Sequence, residues 1–243
     1  MPGKYSITFS IAVFIHEQTA FENGRFCGDD MSDNGWLQSI QSVHVLGAGL
    51  REDRPAHQAF HDAGHLGYRM VPVHPKDAGN TLLGRPIRSQ PWQSSEPELF
   101  VLFLSPDRVM AALRQWLLEG RTIPFVWLQP GAERDDVLEF LQNANIAHSH
   151  GRCWVVTVTQ NDLPCTNRLD EAPWFLQTMA QDGSECSLWR AFESGSEHTL
   201  DEPLEWVGDL YDLRDSDETI ARYIRSLQQE GETLNEAAHR LSK

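Results

Sequence analysis

Gly47-Ala48-Gly49, Arg54 and Lys76 are the residues whose types and spacing suit chemistry with an anion. Two glycines one residue apart leave backbone N–H groups open to a phosphate, and a helix led by Pro55 would add its N-terminus shortly afterwards. Arg54 stands beside that helix start and Lys76 ends the run Val73-His74-Pro75-Lys76, so both can add charge-assisted hydrogen bonds at one edge. A lone G-x-G is also an ordinary strand-to-helix turn. The dinucleotide fingerprint G-x-G-x-x-G is broken by Glu52, and His74-Pro75 stands where an acidic residue would hold a ribose, which ranks NAD or FAD second among ligands.

Other candidates carry less. His57, His61 and His65 recur every four residues, a helical spacing able to hold a transition metal, with His148, His150 and Cys153 further along. A solvent-facing histidine stripe is the plainer reading, because Ala59, Phe60, Ala63 and Leu66 supply the buried side, and no metal is expected. Cys153 follows Arg152, which favours a thiolate, although a half-buried thiol at the head of a strand is the commoner case. The chain has no G-x-S-x-G elbow, Walker loop or Ser-His-Asp order. Binding is expected in preference to catalysis, and no catalytic residue is assigned.

The elements that must position these residues read as an alternation of strands and helices. Apolar runs at 43–46, 69–73, 99–104, 124–128 and 154–158 predict strands, and 55–66, 106–118 and 132–144 predict helices, two of them with proline in the first turn. Continuous runs such as Leu99-Phe100-Val101-Leu102-Phe103-Leu104 suit strands covered on both faces. The implied fold is α/β, a Rossmann-like, doubly wound, mostly parallel sheet. Beyond Asp162 the pattern turns to loops rich in Pro, Ser and acid, with short helical pieces at 173–180 and 203–211 and amphipathic helices at 217–229 and 233–241. The organisation expected is an N-terminal extension (1–40), a nucleotide-type domain (41–165) and an acidic helical C-terminal appendage (166–243).

Charge sharpens that division. The 243-residue chain has a formal net charge of −15. From 170 to 218 there are fourteen acidic residues against Arg190 and Arg214 alone, whereas 41–165 balances thirteen acids with eleven bases. Such acidity excludes nucleic-acid phosphate as a partner. The four cysteines lack disulfide or zinc spacing, so a reducing, cytoplasmic setting is the default. The apolar run at 7–15 is too short to span a bilayer and no cleavage site follows it, so no membrane role is expected. The last two helices resemble the start of a helix-turn-helix but stop short of a reading helix, and predict a hairpin that packs on the sheet or on another protein or subunit.

Taken together, V-L-G-A-G-L-R-E-D-R-P-A, G-Y-R-M-V-P-V-H-P-K, L-L-G-R-P-I, V-W-L-Q-P-G and G-R-C make residues 41–165 resemble the CoA-binding domain family, the stand-alone relatives of the CoA-binding domain of succinyl-CoA synthetase alpha subunits. The resemblance implies a Rossmann-like fold with coenzyme A or acyl-CoA as ligand, its phosphates on the first turn. By position it implies Gly47, Ala48, Gly49, Arg54, Pro55, His74, Pro75, Lys76, Leu104, Ser105 and Gln129 as the lining. The chain departs from the family pattern at Gly49 and Ala56, where Ser is usual, and at His74, where Asn is usual. It has no counterpart of the synthetases' phosphohistidine loop or ATP-grasp partner. Three functions follow: a non-catalytic CoA binder, a nucleotide-dependent enzyme on the same fold, and an interaction module with a vestigial pocket.

Overall fold

A computed structural model describes residues 34–181, 184 and 186–242; the expectations for the first thirty residues lie outside the described residues. Helix α1 (Asn34–Ser39) leads into β1 (Ser42–Leu46), followed by α2 (Pro55–Ala63) and β2 (Arg69–Val73). A two-residue hairpin, β3 (Thr81–Leu82) and β4 (Arg85–Pro86), precedes β5 (Leu99–Leu102), α3 (Pro106–Leu118), β6 (Phe125–Leu128), α4 (Asp135–Asn143), β7 (His148–Ser149) and α5 (Trp154–Gln160). Strands β1, β2, β5, β6 and β7 form one parallel sheet in the order β2-β1-β5-β6-β7.

Every residue of β1 is buried, as a parallel strand covered on both faces requires. On one face Val43, Val45, Leu99, Val101 and Trp127 pack with α2 and α5; on the other Leu46, Val71, Phe100, Leu102 and Val126 pack with α3 and α4. The sheet is therefore doubly wound. His44, wholly buried in β1, has its Nδ1 3.5 Å from Ser94 Oγ, and burial holds its pKa well below the ordinary histidine value.

Two expectations are corrected. Residues 154–158 form the helix α5 and no strand: Trp154, Val155 and Val158 are buried on one side while Val156 is 46% exposed, and Thr157 and Thr159 donate their hydroxyls to the carbonyls of Cys153 and Val155. The fifth strand is the two-residue β7. The pieces at 173–180 and 203–211 are strands instead of helices. β8 (Trp174–Met179), β9 (Ser187–Phe192) and β10 (Leu204–Asp209) make an antiparallel sheet ordered β10-β8-β9, with α6 (Leu210–Asp215) starting where β10 stops. Trp174 and Leu176 face one apolar cluster and Phe175 the other, a period of two along a strand buried on both sides. The C-terminal helices α7 (Thr219–Ser226) and α8 (Leu234–Arg240) are present, and Ala221, Ile224 and Ala238 pack with Phe175 and Trp206 of this second sheet. Among the described residues no helix is long and apolar enough to cross a membrane.

A buried ionic cluster joins the two sheets. Arg69, first residue of β2, donates to both carboxylate oxygens of Asp209 at 3.0 and 2.8 Å and to Asp212 Oδ1 at 2.7 Å. Arg88 donates Nε to Asp212 Oδ2 at 2.9 Å, and its Nη2 lies 3.0 Å from Asp209 Oδ2. Arg88 and Asp212 are 1% and 0% exposed. Burial alone would raise the Asp212 pKa, but the guanidiniums of Arg88 and Arg69 outweigh it and hold the carboxyl far below its ordinary range. Asp212 also accepts the backbone N–H groups of Ser95 and Asp209, completing a capping box at the start of α6.

Candidate ligand site at the strand ends

The chain leaves β1 toward β2 on one side and returns through β5 on the other, so the strand order reverses between β1 and β5 and a crevice opens at their carboxyl ends. Gly47 closes the floor of that crevice. It has φ +99°, and a Cβ there would stand 2.6 Å from the carbonyl oxygen of Phe103 after β5. Its N–H donates to Val73 O at 2.9 Å, and Phe103 N–H donates to Leu46 O at 3.0 Å. Ala48 is buried in the core. The N–H groups of Ala48 and Gly49 have no acceptor among the described residues, leaving two donors on the turn.

The turn already holds one anion of its own. Leu50 N–H donates to Asp77 Oδ2 at 2.9 Å, and His74 Nδ1 lies 3.0 Å from the same oxygen. A Cβ on Gly49 would fall 2.1 Å from Asp77 Oδ2 and 2.9 Å from the His74 ring. The missing side chain at 49 is thus what admits the Asp77 carboxylate. Pro75 and Lys76 are exposed at the same edge, and Lys76 makes no ion pair among the described residues.

Arg54, at the N-cap of α2, is exposed and 4.0 Å from Asp53, whose carboxylate is held mainly by Arg51 at 3.2 and 2.8 Å. Pro55 is the first residue of α2, the position where its missing N–H costs nothing. Across the crevice Leu104 is half-buried against Gly47, and Ser105 caps α3 by backbone alone, with no capping bond from its hydroxyl. Gln129, at the end of β6, is 2% exposed, and neither its Oε1 nor its Nε2 has a partner among the described residues. A buried amide without partners is costly. Arg134 ties the neighbouring turns together through Asp107 at 2.8 Å and Asp136 at 2.6 Å.

The residues expected from sequence therefore lie at the carboxyl ends of β1, β2, β5 and β6 and at the start of α2. Two residues of this edge escape sequence reading. Asp77 is one; its signal was Gly49 itself, where a serine would collide with the carboxylate. His57 is the other. It is buried, and its Nδ1, 2.9 Å from Gly49 O, must carry the proton and donate to that carbonyl. Only His61 and His65 of the expected stripe are exposed. Among the described residues no group of three His, Cys, Asp or Glu side chains is placed to hold a metal.

A parallel, doubly wound sheet with a glycine cradle at its reversal point defines a Rossmann-like α/β protein. Residues 41–159 match the CoA binding domain family. Solved structures to which the chain is similar include a conserved hypothetical protein from Pyrococcus furiosus, 21% identical, covering 49% of this chain and 99% of its own (TM-score 0.44). A Thermus thermophilus protein is 29% identical over 53% of this chain and 94% of its own (TM-score 0.46). A hypothetical protein from Pyrococcus horikoshii is 20% identical over 61% and 99% (TM-score 0.48).

Proposed function

We propose that the chain binds coenzyme A or an acyl-CoA at the carboxyl ends of β1, β2, β5 and β6, without turning it over. The observation that carries this reading is the cradle itself, a glycine floor pressed against Phe103 O with free N–H groups beside it, in a segment that matches the CoA binding domain family. Ala48 and Gly49 receive the phosphates by their backbone N–H groups, over the floor that Gly47 makes. Arg54 and Lys76 supply charge, and Pro55 starts the helix whose N-terminus faces them. His74 and Pro75 form the wall on the β2 side, Leu104 and Ser105 the wall on the β5 side, and Gln129 offers an amide to the ligand's polar groups. An arriving phosphate competes with Asp77 for Leu50 N–H. Ser105 Oγ is hydrogen-bonded to no base among the described residues, which favours binding over nucleophilic chemistry.

The test is calorimetric titration of the full chain with CoA, acetyl-CoA, NAD and ATP in one buffer at physiological salt. Saturable binding of CoA or acetyl-CoA in preference to the other two supports the reading. Preference for NAD replaces it with the nucleotide-enzyme reading. Silence from all four overturns it in favour of an interaction module.

A further inference from the structure

A second cavity lies at the other end of β2, away from the glycine cradle. It measures about 510 Å³, within the range of small-molecule sites, and sits between the first turn after α2, the β3–β4 hairpin and the second sheet. Its wall is rich in donors that lack acceptors. Arg85 is half-buried, its only hydrogen bond runs from Nη1 to Leu83 O at 3.3 Å, and it has no carboxylate at ion-pair distance among the described residues. Burial pushes its pKa down, and the Glu171 carboxylate, which lies beyond ion-pair distance, offsets this only in part. Arg168 is likewise without an ion pair. It lies over Gly67, where a Cβ would meet its Nε at 2.3 Å. Trp174 is 1% exposed and its indole N–H has no acceptor.

Two guanidiniums on one cavity have no carboxylate at ion-pair distance among the described residues. The other two arginines on the wall, Arg69 and Arg88, are already neutralised by Asp209 and Asp212. We propose that this cavity is a binding site for a small organic carboxylate, gripped by Arg85 and Arg168. A planar fork of donors matches a carboxylate in bidentate fashion. The exposed acids Asp170 and Glu171, also on the wall, repel a second negative charge and so select a monoanion over a phosphate.

The experiment titrates the full chain with sodium benzoate, its neutral isostere benzamide and inorganic phosphate by calorimetry. Saturable binding of benzoate, with benzamide and phosphate each about tenfold weaker or worse, is the expected result, a preference of about 1.4 kcal/mol. Arg85→Gln and, separately, the exposed Arg168→Gln each weaken benzoate about tenfold with an unchanged unfolding midpoint. Arg168→Gln keeps the test decisive should the partly buried Arg85 prove necessary for folding. No benzoate binding below about 10 mM, tighter binding of phosphate, or equal affinity in the well-folded Arg168→Gln chain overturns the proposal.

Discussion

The two ends of β2 treat charge in opposite ways. At its amino end Arg69 shares Asp209 and Asp212 with Arg88, so every charge of that cluster has a fixed partner. At its carboxyl end Lys76 is unpaired in solvent and Asp77 is held by one backbone N–H and one histidine nitrogen. Six residues, 70–75, separate a structural clasp from an edge still able to exchange partners. Buried, saturated charges make a joint rigid, because removing either member strands the other in low dielectric. Exposed, half-saturated charges contribute little to folding and are left available to a ligand.

The sharpest way to break this contrast is Asp212→Ala. It leaves two buried guanidiniums to the single carboxylate of Asp209 and is expected to cost about 3–5 kcal/mol in denaturant unfolding. The pH dependence follows with a definite sign. The Asp212 carboxyl is depressed in the fold, so its contribution is complete above the unfolded value of about 3.9 and is lost as pH falls below it; buried neutral His44 adds an earlier loss below about 6.5. Urea midpoints measured from pH 7 to pH 3 should fall first through His44 and then through Asp212, and the lower step should shrink in Asp212→Ala to the part due to other depressed carboxyls such as Glu202 and Glu236.

At the other end, Lys76→Ala and Arg54→Ala should leave the urea midpoint in place while weakening CoA by about 1.5–3 kcal/mol each, the range for hydrogen bonds to charged groups. Unchanged affinity in both would remove the ligand from this edge. Gly47→Ala tests the floor: the positive φ and the approach to Phe103 O predict a loss of about 1–3 kcal/mol in stability together with weakened CoA binding. The smallest effect is the most telling about Asp77. Replacing it by Asn removes a like charge from the phosphate position and should tighten CoA by about 1 kcal/mol, roughly fivefold. Weaker binding would instead make Asp77 part of the ligand's own support.

The first half of the fold was legible because its signals are local. Val43, Val45, Leu99 and Val101 sit in unbroken apolar runs, and Pro55 and Pro106 mark helix starts where the structure has them. The run Trp154-Val155-Val156 misled because a short apolar stretch does not reveal its period; only the exposure of Val156 separates helix from strand. Trp174-Phe175-Leu176 failed for the same reason in reverse, with Pro173 resembling a helix start. At the strand ends, the glycine turn and its cations could be placed from sequence. Asp77 and His57 could not, since each acts through Gly49, a contact set by the folded turn. Asp209 and Asp212 belong to the acidic segment, yet they are counter-ions to Arg69 and Arg88. Their partners lie more than a hundred residues upstream, beyond any sequence pattern.

That separation has a consequence for how the protein is made. Asp212 follows Arg88 by 124 residues, so at about 5–20 residues per second a ribosome needs roughly 6–25 s to deliver the carboxylate after the arginine. During that interval the nascent first sheet carries two cations destined for burial and nothing to neutralise them. Its edge at β2 must stay wet until the last third of the chain emerges, which makes synthesis of the second sheet the event that seals the first.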